Sequence, residues 1–261
     1  MSRFILVHGA WHGAWCWDRV VPLLEARGHL VDAIDLPGHG RDRTPTAEVT
    51  LDRYAERVCR ALEAQPEPAV LVGHSMAGVV ITEAAERCPE RIQTLVYLAA
   101  YLPSDGETLL HLADRPEGAT TYTRPNLVFS DDHRSVTLRP ESLREALYAD
   151  CQAADIERAS RLLVPQAAAP FATPVHTTEE RFGRVPRAYV VCSRDRAIPT
   201  ALQWRMLCAR PCQQVTTLQS SHSPFLSAPD TLAAQLDVFA RNTRLAGPSA
   251  ALGGRALAAS V

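Results

Sequence analysis

The sequence predicts an α/β fold with a mainly parallel six-stranded sheet, helices on both faces and a helical cap insertion. Three observations predict it. Short apolar runs alternate with amphipathic stretches along the main body of the chain. One of these runs, Val70 to His74, ends in a tight Gly-x-Ser-x turn that opens a helix. The interval from about Pro103 to Val185 breaks the alternation, carrying prolines at 116, 125, 140, 165, 170 and 174 and no long buried strand.

Strands are predicted near residues 3–8, 30–35, 69–74, 93–99, 187–193 and 213–219. Right-handed crossovers between them build a parallel sheet covered on both faces. A helix over 51–62 places Leu51, Tyr54, Ala55, Val58, Cys59 and Leu62 on one face, and Phe225 to Phe239 repeats apolar residues at similar spacing. Inside the interval, 141–151 and 155–163 read as helical. The organisation expected is a core of 1–102 and 186–243, a cap of 103–185, and a tail of 244–261 that is rich in alanine, glycine and serine and lacks fixed packing.

Composition narrows the function. At 261 residues and 46% hydrophobic content the chain can bury one large core. A net charge of −2 with interleaved signs gives no patch for nucleic acid or an anionic membrane. No apolar run approaches the ~20 residues that span a bilayer, and Phe4 already begins a core strand, so a cytoplasmic location without a signal peptide is expected. Seven cysteines without a Cys-x-x-Cys pair read as reduced core thiols. All 27 basic residues are arginine, which excludes Schiff-base lysines, a pyridoxal anchor and a P-loop lysine.

The chemistry gathers at strand ends. Ser75 falls on the strand-to-helix turn, with Ala77 where such a pentapeptide usually has its second glycine and Gly78 one place later. One apolar strand runs into Asp195 and another into His222. A serine hydroxyl needs a base, imidazole serves, and a carboxylate fixes the imidazole tautomer, so Ser75, Asp195 and His222 form the candidate triad. Nucleophile, acid and base in that order are the α/β-hydrolase arrangement. Asp105, which also follows a strand, is the rival acid. The loop His8 to Gly13 after the first strand would supply the Ala10 N–H, joined by that of Met76, as an oxyanion hole. His8 and His12 could instead be a metal pair, although the glycines between them oppose a helix and no third ligand motif appears. His39 and Asp35, in the turn after the second strand, are weaker catalytic candidates.

His8 to Trp17, Asp35-Leu36-Pro37-Gly38-His39-Gly40, Gly73 to Gly78, Asp195 to Pro199 and Ser221-His222-Ser223-Pro224 together resemble the plant methyl esterase and hydroxynitrile lyase family and its bacterial esterase relatives. The similarity runs from residue 3 to about 241. It implies an α/β-hydrolase core with a helical cap after the sixth family strand, no cofactor, and a serine esterase or a cyanohydrin-cleaving lyase. In the lyases that this family resembles, the position matching Gly9 carries a threonine and that matching Ser223 a lysine. Both groups are missing here, which favours the esterase. Trp11, His12 and Tyr148 are the candidate substrate contacts. The reading is a carboxylic-ester hydrolase acting through an acyl-enzyme on a small to medium apolar or aromatic ester, a methyl ester among the candidates. Its partner is that small-molecule ester, with a homodimer as the candidate assembly. The alternatives are a non-hydrolytic enzyme (a carbon–carbon lyase, a cyclase or a lactone-forming enzyme) and a catalytically silent receptor.

Overall fold

The structure is a computed structural model that describes residues 1–246. Its main sheet contains β1 (Arg3–Val7), β2 (Leu30–Ile34), β3 (Ala69–His74), β4 (Ile92–Leu98), β8 (Arg187–Cys192) and β9 (Gln214–Leu218). They lie in the order β2-β1-β3-β4-β8-β9, and every neighbouring pair is parallel. The six predicted strands are these six, with ends shifted by a residue or so.

Position in the sheet explains the sequence of each strand. β1 and β3 are buried at every residue, because helices cover both faces of an interior parallel strand. Each Val, Leu or Ile side chain so buried contributes about 1.5–3 kcal/mol relative to exposure. The edge strands β2 and β9 alternate between exposed and half-buried residues over most of their length.

The core helices are α1 (Val20–Glu25), α2 (Leu51–Glu63) and α3 (Ala77–Arg87) before β4, and α8 (Thr200–Ala209), α9 (Pro224–Ser227) and α10 (Pro229–Ala246) after β8. The predicted stripe of α2 is buried, and the Thr50 hydroxyl caps the helix by accepting from the Arg53 N–H at 3.1 Å. α10 runs through Ala246, so the predicted tail begins inside this helix and its remainder lies outside the described residues. No helix among the described residues is long and apolar enough to cross a membrane.

Between β4 and β8 the chain forms α4 (Leu109–Ala113), α5 (Leu143–Leu147), α6 (Ala153–Leu162) and α7 (Ala169–Ala172). It also forms a second sheet, antiparallel, from β5 (Leu127–Phe129), β6 (Ser135–Leu138) and β7 (Gln166–Ala167). A purely helical insertion is therefore corrected to a mixed one. Strands of two to four residues are too short to display a period of two, so their pattern was hidden in the sequence.

Polar ties at several points fasten this segment to the core. The Trp11 indole donates to the Val136 carbonyl at 2.8 Å, and Arg19 pairs with Asp155. His39 Nε2–H donates to Gln166 Oε1 at 3.0 Å, while the Gln166 amide donates to the Tyr54 hydroxyl at 3.1 Å. His39 is thus a buried strut. Asp35 is another local brace, accepting from the Ala14 and Arg41 N–H groups.

Candidate active site

Ser75 occupies the turn between β3 and α3 with φ of 56°, in the left-handed region that residues with a Cβ avoid. Hydrogen bonds hold it there. Its N–H donates to the Leu98 carbonyl at 3.2 Å, and its own carbonyl accepts from Gly78 and Tyr101, each at 3.1 Å. The close approach that this elbow needs falls at Gly78, where a Cβ would sit 1.9 Å from the Tyr101 carbonyl oxygen. Ala77 is buried without such a conflict, which explains how the turn tolerates it.

Asp195 follows β8 and turns its carboxylate onto His222, which follows β9. His222 Nδ1–H donates to Asp195 Oδ2 at 2.8 Å, and both side chains are almost wholly buried. The other carboxylate oxygen accepts from the Ala197 and Ile198 N–H groups at 2.7 and 2.9 Å, so the turn that includes Pro199 locks the acid in place. With Nδ1 committed to Asp195, Nε2 is the nitrogen left to face Ser75, and both residues line one cavity. Asp105 is remote from this pair. It lies exposed and accepts from the Thr177 N–H at 2.8 Å.

Three supporting residues escaped the sequence reading. Gln203 donates to Asp195 Oδ2 at 3.3 Å and also bonds both the N–H and the carbonyl of Cys192. Asp150 accepts from the Ser221 N–H at 2.7 Å and from the Ser221 hydroxyl, fastening the loop that carries the base. His74 donates from Nε2 to the His222 carbonyl at 2.9 Å. None of the three has a spacing that marks it, because each acts across 8 to 148 residues of chain. His74 alone could have been suspected, since it adjoins Ser75.

The Ala10 and Met76 N–H groups have no acceptor among the described residues, and both residues line the cavity beside Ser75. Met76 adjoins the N-terminus of α3, where helix dipole and free N–H groups favour developing negative charge. Trp11, with φ of 64°, forms part of the wall.

His12 and Tyr148 are corrected. Neither lines the cavity. His12 Nδ1–H donates to the Ala10 carbonyl at 2.8 Å and its Nε2 accepts from the Tyr148 hydroxyl at 2.7 Å, while its ring stacks on Trp15. The pair therefore holds the Ala10 peptide from behind instead of meeting substrate. Burial pushes the His12 pKa down to about 4, keeping the ring neutral. The spacing of aromatic and histidine residues carries no mark of which side of a loop faces the cavity. His8 is likewise spent on protein, bonding the Gly9 carbonyl and the Leu36 N–H, and among the described residues no three His, Cys, Asp or Glu side chains gather as a metal site.

Gly9 carries a steric message as well. A Cβ there would stand 2.8 Å from His74 Nδ1 and 2.9 Å from Ser75 Cβ, so a threonine could enter only by displacing the elbow. Ser223 is buried, with its hydroxyl unpartnered, and does not line the cavity. A lysine at 223 would bury its charge.

The cavity has a volume of about 420 Å³. Most of its wall is apolar, with Leu109, Leu127, Leu147, Phe171, Ile198 and Leu202 among the lining residues.

A model of the alpha/beta hydrolase family matches residues 4–235. The chain belongs to the α/β hydrolase family. Within it, this hydrolase is 34% identical over 244 residues to methylesterase 1 of Arabidopsis thaliana, covering 88% of this chain and 93% of that one. It is 34% identical over 248 residues to a pyrethroid hydrolase of Sphingobium wenxiniae, covering 92% and 88%. It spans about half of one longer relative, 54% of a putative chloroplastic methylesterase 13 of A. thaliana. The crystal structure of a pyrethroid hydrolase from Sphingobium faniae superposes with a TM-score of 0.85 at 32% identity, covering 92% of this chain and 97% of that chain.

Proposed function

We propose that this hydrolase cleaves medium-sized, mostly apolar carboxylic esters through an acyl-enzyme on Ser75. The observation that carries the reading is one cavity wall that holds Ser75, the Asp195-bound His222 and two unspent backbone donors. His222 Nε2 takes the Ser75 proton as Oγ attacks the ester carbonyl. Asp195 stabilises the imidazolium that forms and keeps its orientation. The oxyanion accepts from the Ala10 and Met76 N–H groups, and donors of this kind are each worth roughly 100 to 1000-fold in rate. Protonated His222 then gives its proton to the departing alcohol. Water, activated by the same imidazole, releases the acid and restores the serine.

The apolar wall and the volume support an ester with bulk on at least one side of the carbonyl, since pockets of this size bury most of a drug-sized ligand. The segment 103–185 acts as a cap that roofs the elbow and keeps bulk water from it. Relatives named as a methylesterase and as a pyrethroid hydrolase support varying both sides of the ester. A panel that varies the alcohol (methyl, benzyl, phenoxybenzyl) and the acid (acetate, benzoate, cyclopropanecarboxylate) tests the reading. Rising kcat/KM with apolar bulk supports it, and hydrolysis confined to acetates opposes it.

A further inference from the structure

The cavity offers a substrate few polar side chains. Besides Ser75 and His222 they are Tyr101, Asp114, Thr121, Thr123 and Arg124. Four of these are already engaged. Asp114 pairs with Arg124 at 2.5 Å, the Thr121 and Thr123 hydroxyls bond each other at 2.8 Å, and Thr121 donates to the Ala197 carbonyl at 2.7 Å. Tyr101 is left over.

The other buried tyrosines make it conspicuous. The hydroxyls of Tyr54, Tyr97, Tyr148 and Tyr189 bond, respectively, Gln166, Thr82, His12 and the Ala100 carbonyl. The Tyr101 side chain is also buried, yet among the described residues its hydroxyl has no partner. Nor is it one of the polar atoms sealed inside protein without a partner, as Trp15 Nε1 and Trp17 Nε1 are. It therefore touches open space, and the space that Tyr101 lines is the cavity. Its backbone is clamped to the elbow, donating to the Ser75 carbonyl at 3.1 Å and closing over Gly78. The phenol thus springs from a fixed point beside the nucleophile. Burial also pushes its pKa up, so it remains a donor across the working range of an esterase.

We propose that the Tyr101 hydroxyl is a specificity handle, donating a hydrogen bond to an acceptor oxygen that the ester carries beyond its reacting carbonyl, such as an ether or ketone. The preferred substrates are then apolar esters with one such oxygen, placed on the Tyr101 side of the cavity, over pure hydrocarbon esters of equal size. This rests on the ester-hydrolase reading. It adds what that reading lacks, a polar selection rule in a greasy wall, because a buried donor left unpaired disfavours a substrate that cannot satisfy it.

The test is an oxygen scan. p-Nitrophenyl heptanoate is compared with analogues in which one chain methylene after another is replaced by oxygen, each kcat/KM being divided by the rate of alkaline hydrolysis of the same ester. At one position the unmodified protein should favour the oxygen analogue by about tenfold, the usual scale of one added hydrogen bond. Tyr101→Phe should erase that ratio. A flat scan in the unmodified protein, or an advantage that survives Tyr101→Phe, overturns the proposal. A ring that serves packing alone would change both rates together and leave the ratio standing. Should Tyr101→Phe fold poorly by thermal melt, the scan of the unmodified protein still decides. The same comparison as Kd on the Ser75→Ala protein, followed by tryptophan fluorescence, needs no turnover. A hydrolase reading that fails would show as absent turnover with the Kd preference intact, whereas a failed Tyr101 proposal would show as equal Kd values.

Discussion

The floor and the roof of the cavity are built from different physical material. The floor is the ends of β1, β3, β8 and β9, where the proposed reacting groups are fixed by hydrogen bonds to backbone: the Ser75 peptide to Leu98, Gly78 and Tyr101, and the Asp195 carboxylate to Ala197 and Ile198. The roof is α4, β5 and the turns between them, where Leu110, Val128 and Phe129 are exposed and contacts are mostly apolar. Directional bonds fix atoms to fractions of an ångström, as proton transfer requires, while apolar contacts fix only shape. Catalysis and selection by ester bulk should therefore be separable, whereas the polar selection assigned to Tyr101 belongs to the floor.

Substitutions on the floor should break catalysis most. Ser75→Ala removes the attacking oxygen, and because triad members act as a unit, kcat should fall by roughly 10⁴ to 10⁶-fold with an unchanged circular dichroism spectrum. Asp195→Asn comes next. It leaves His222 in the wrong tautomer and should cost up to ~10⁴-fold in kcat, whereas Asp105→Asn, on the surface, should change kcat by less than about twofold. The opposite ranking would return the acid role to Asp105.

Acid should also discriminate between the halves. His8, His12, His39 and His74 lie on or just below the floor, and burial holds each pKa below its ordinary value, His12 at about 4. The unfolded chain protonates these rings below about pH 6.5 while the folded one does not, so the unfolded state binds more protons and stability falls as pH drops from 6.5 toward 4. Each such histidine adds about 1.4 kcal/mol per pH unit inside its window. Urea midpoints measured from pH 7.5 to 4.5 should decline steeply below 6.5, and the decline should be shallower for His12→Gln. A flat profile would mean that these rings are charged when folded.

Much of the floor was legible in the sequence, and for a physical reason. A strand that must be buried, a turn that needs small residues and a strand end that needs a carboxylate or imidazole each leave local marks, as at Val70 to Gly78 and at Asp195. Partners that meet only after folding leave none. Gln203 reaches Asp195 from α8, Asp150 holds Ser221 from 71 positions away, and His12 and Tyr148 face each other behind the loop instead of into the cavity. Gly9 shows the same limit from the steric side. Its missing hydroxyl could be read from sequence, but the collision of any Cβ with His74 could not. Gly9→Thr with Ser223→Lys should consequently lower esterase activity without delivering cyanide from mandelonitrile, and rapid cyanide release would show that the elbow yields.

Roof substitutions should have the smallest effect and a different signature. Leu110→Ala or Phe129→Ala should lower the kcat/KM ratio of bulky to small esters by about three to tenfold, chiefly through KM. A fall in kcat alike for all esters would instead tie the roof to the chemistry.

The proposed chemistry stands on Ser75, activated by His222, as the nucleophile. Stoichiometric fluorophosphonate treatment followed by intact mass and peptide mapping tests it most directly. One adduct per chain is expected, on Ser75, with ester turnover lost in proportion and labelling greatly slowed in His222→Ala. Full turnover with Ser75 modified, or an inactivating adduct on another residue, would contradict it.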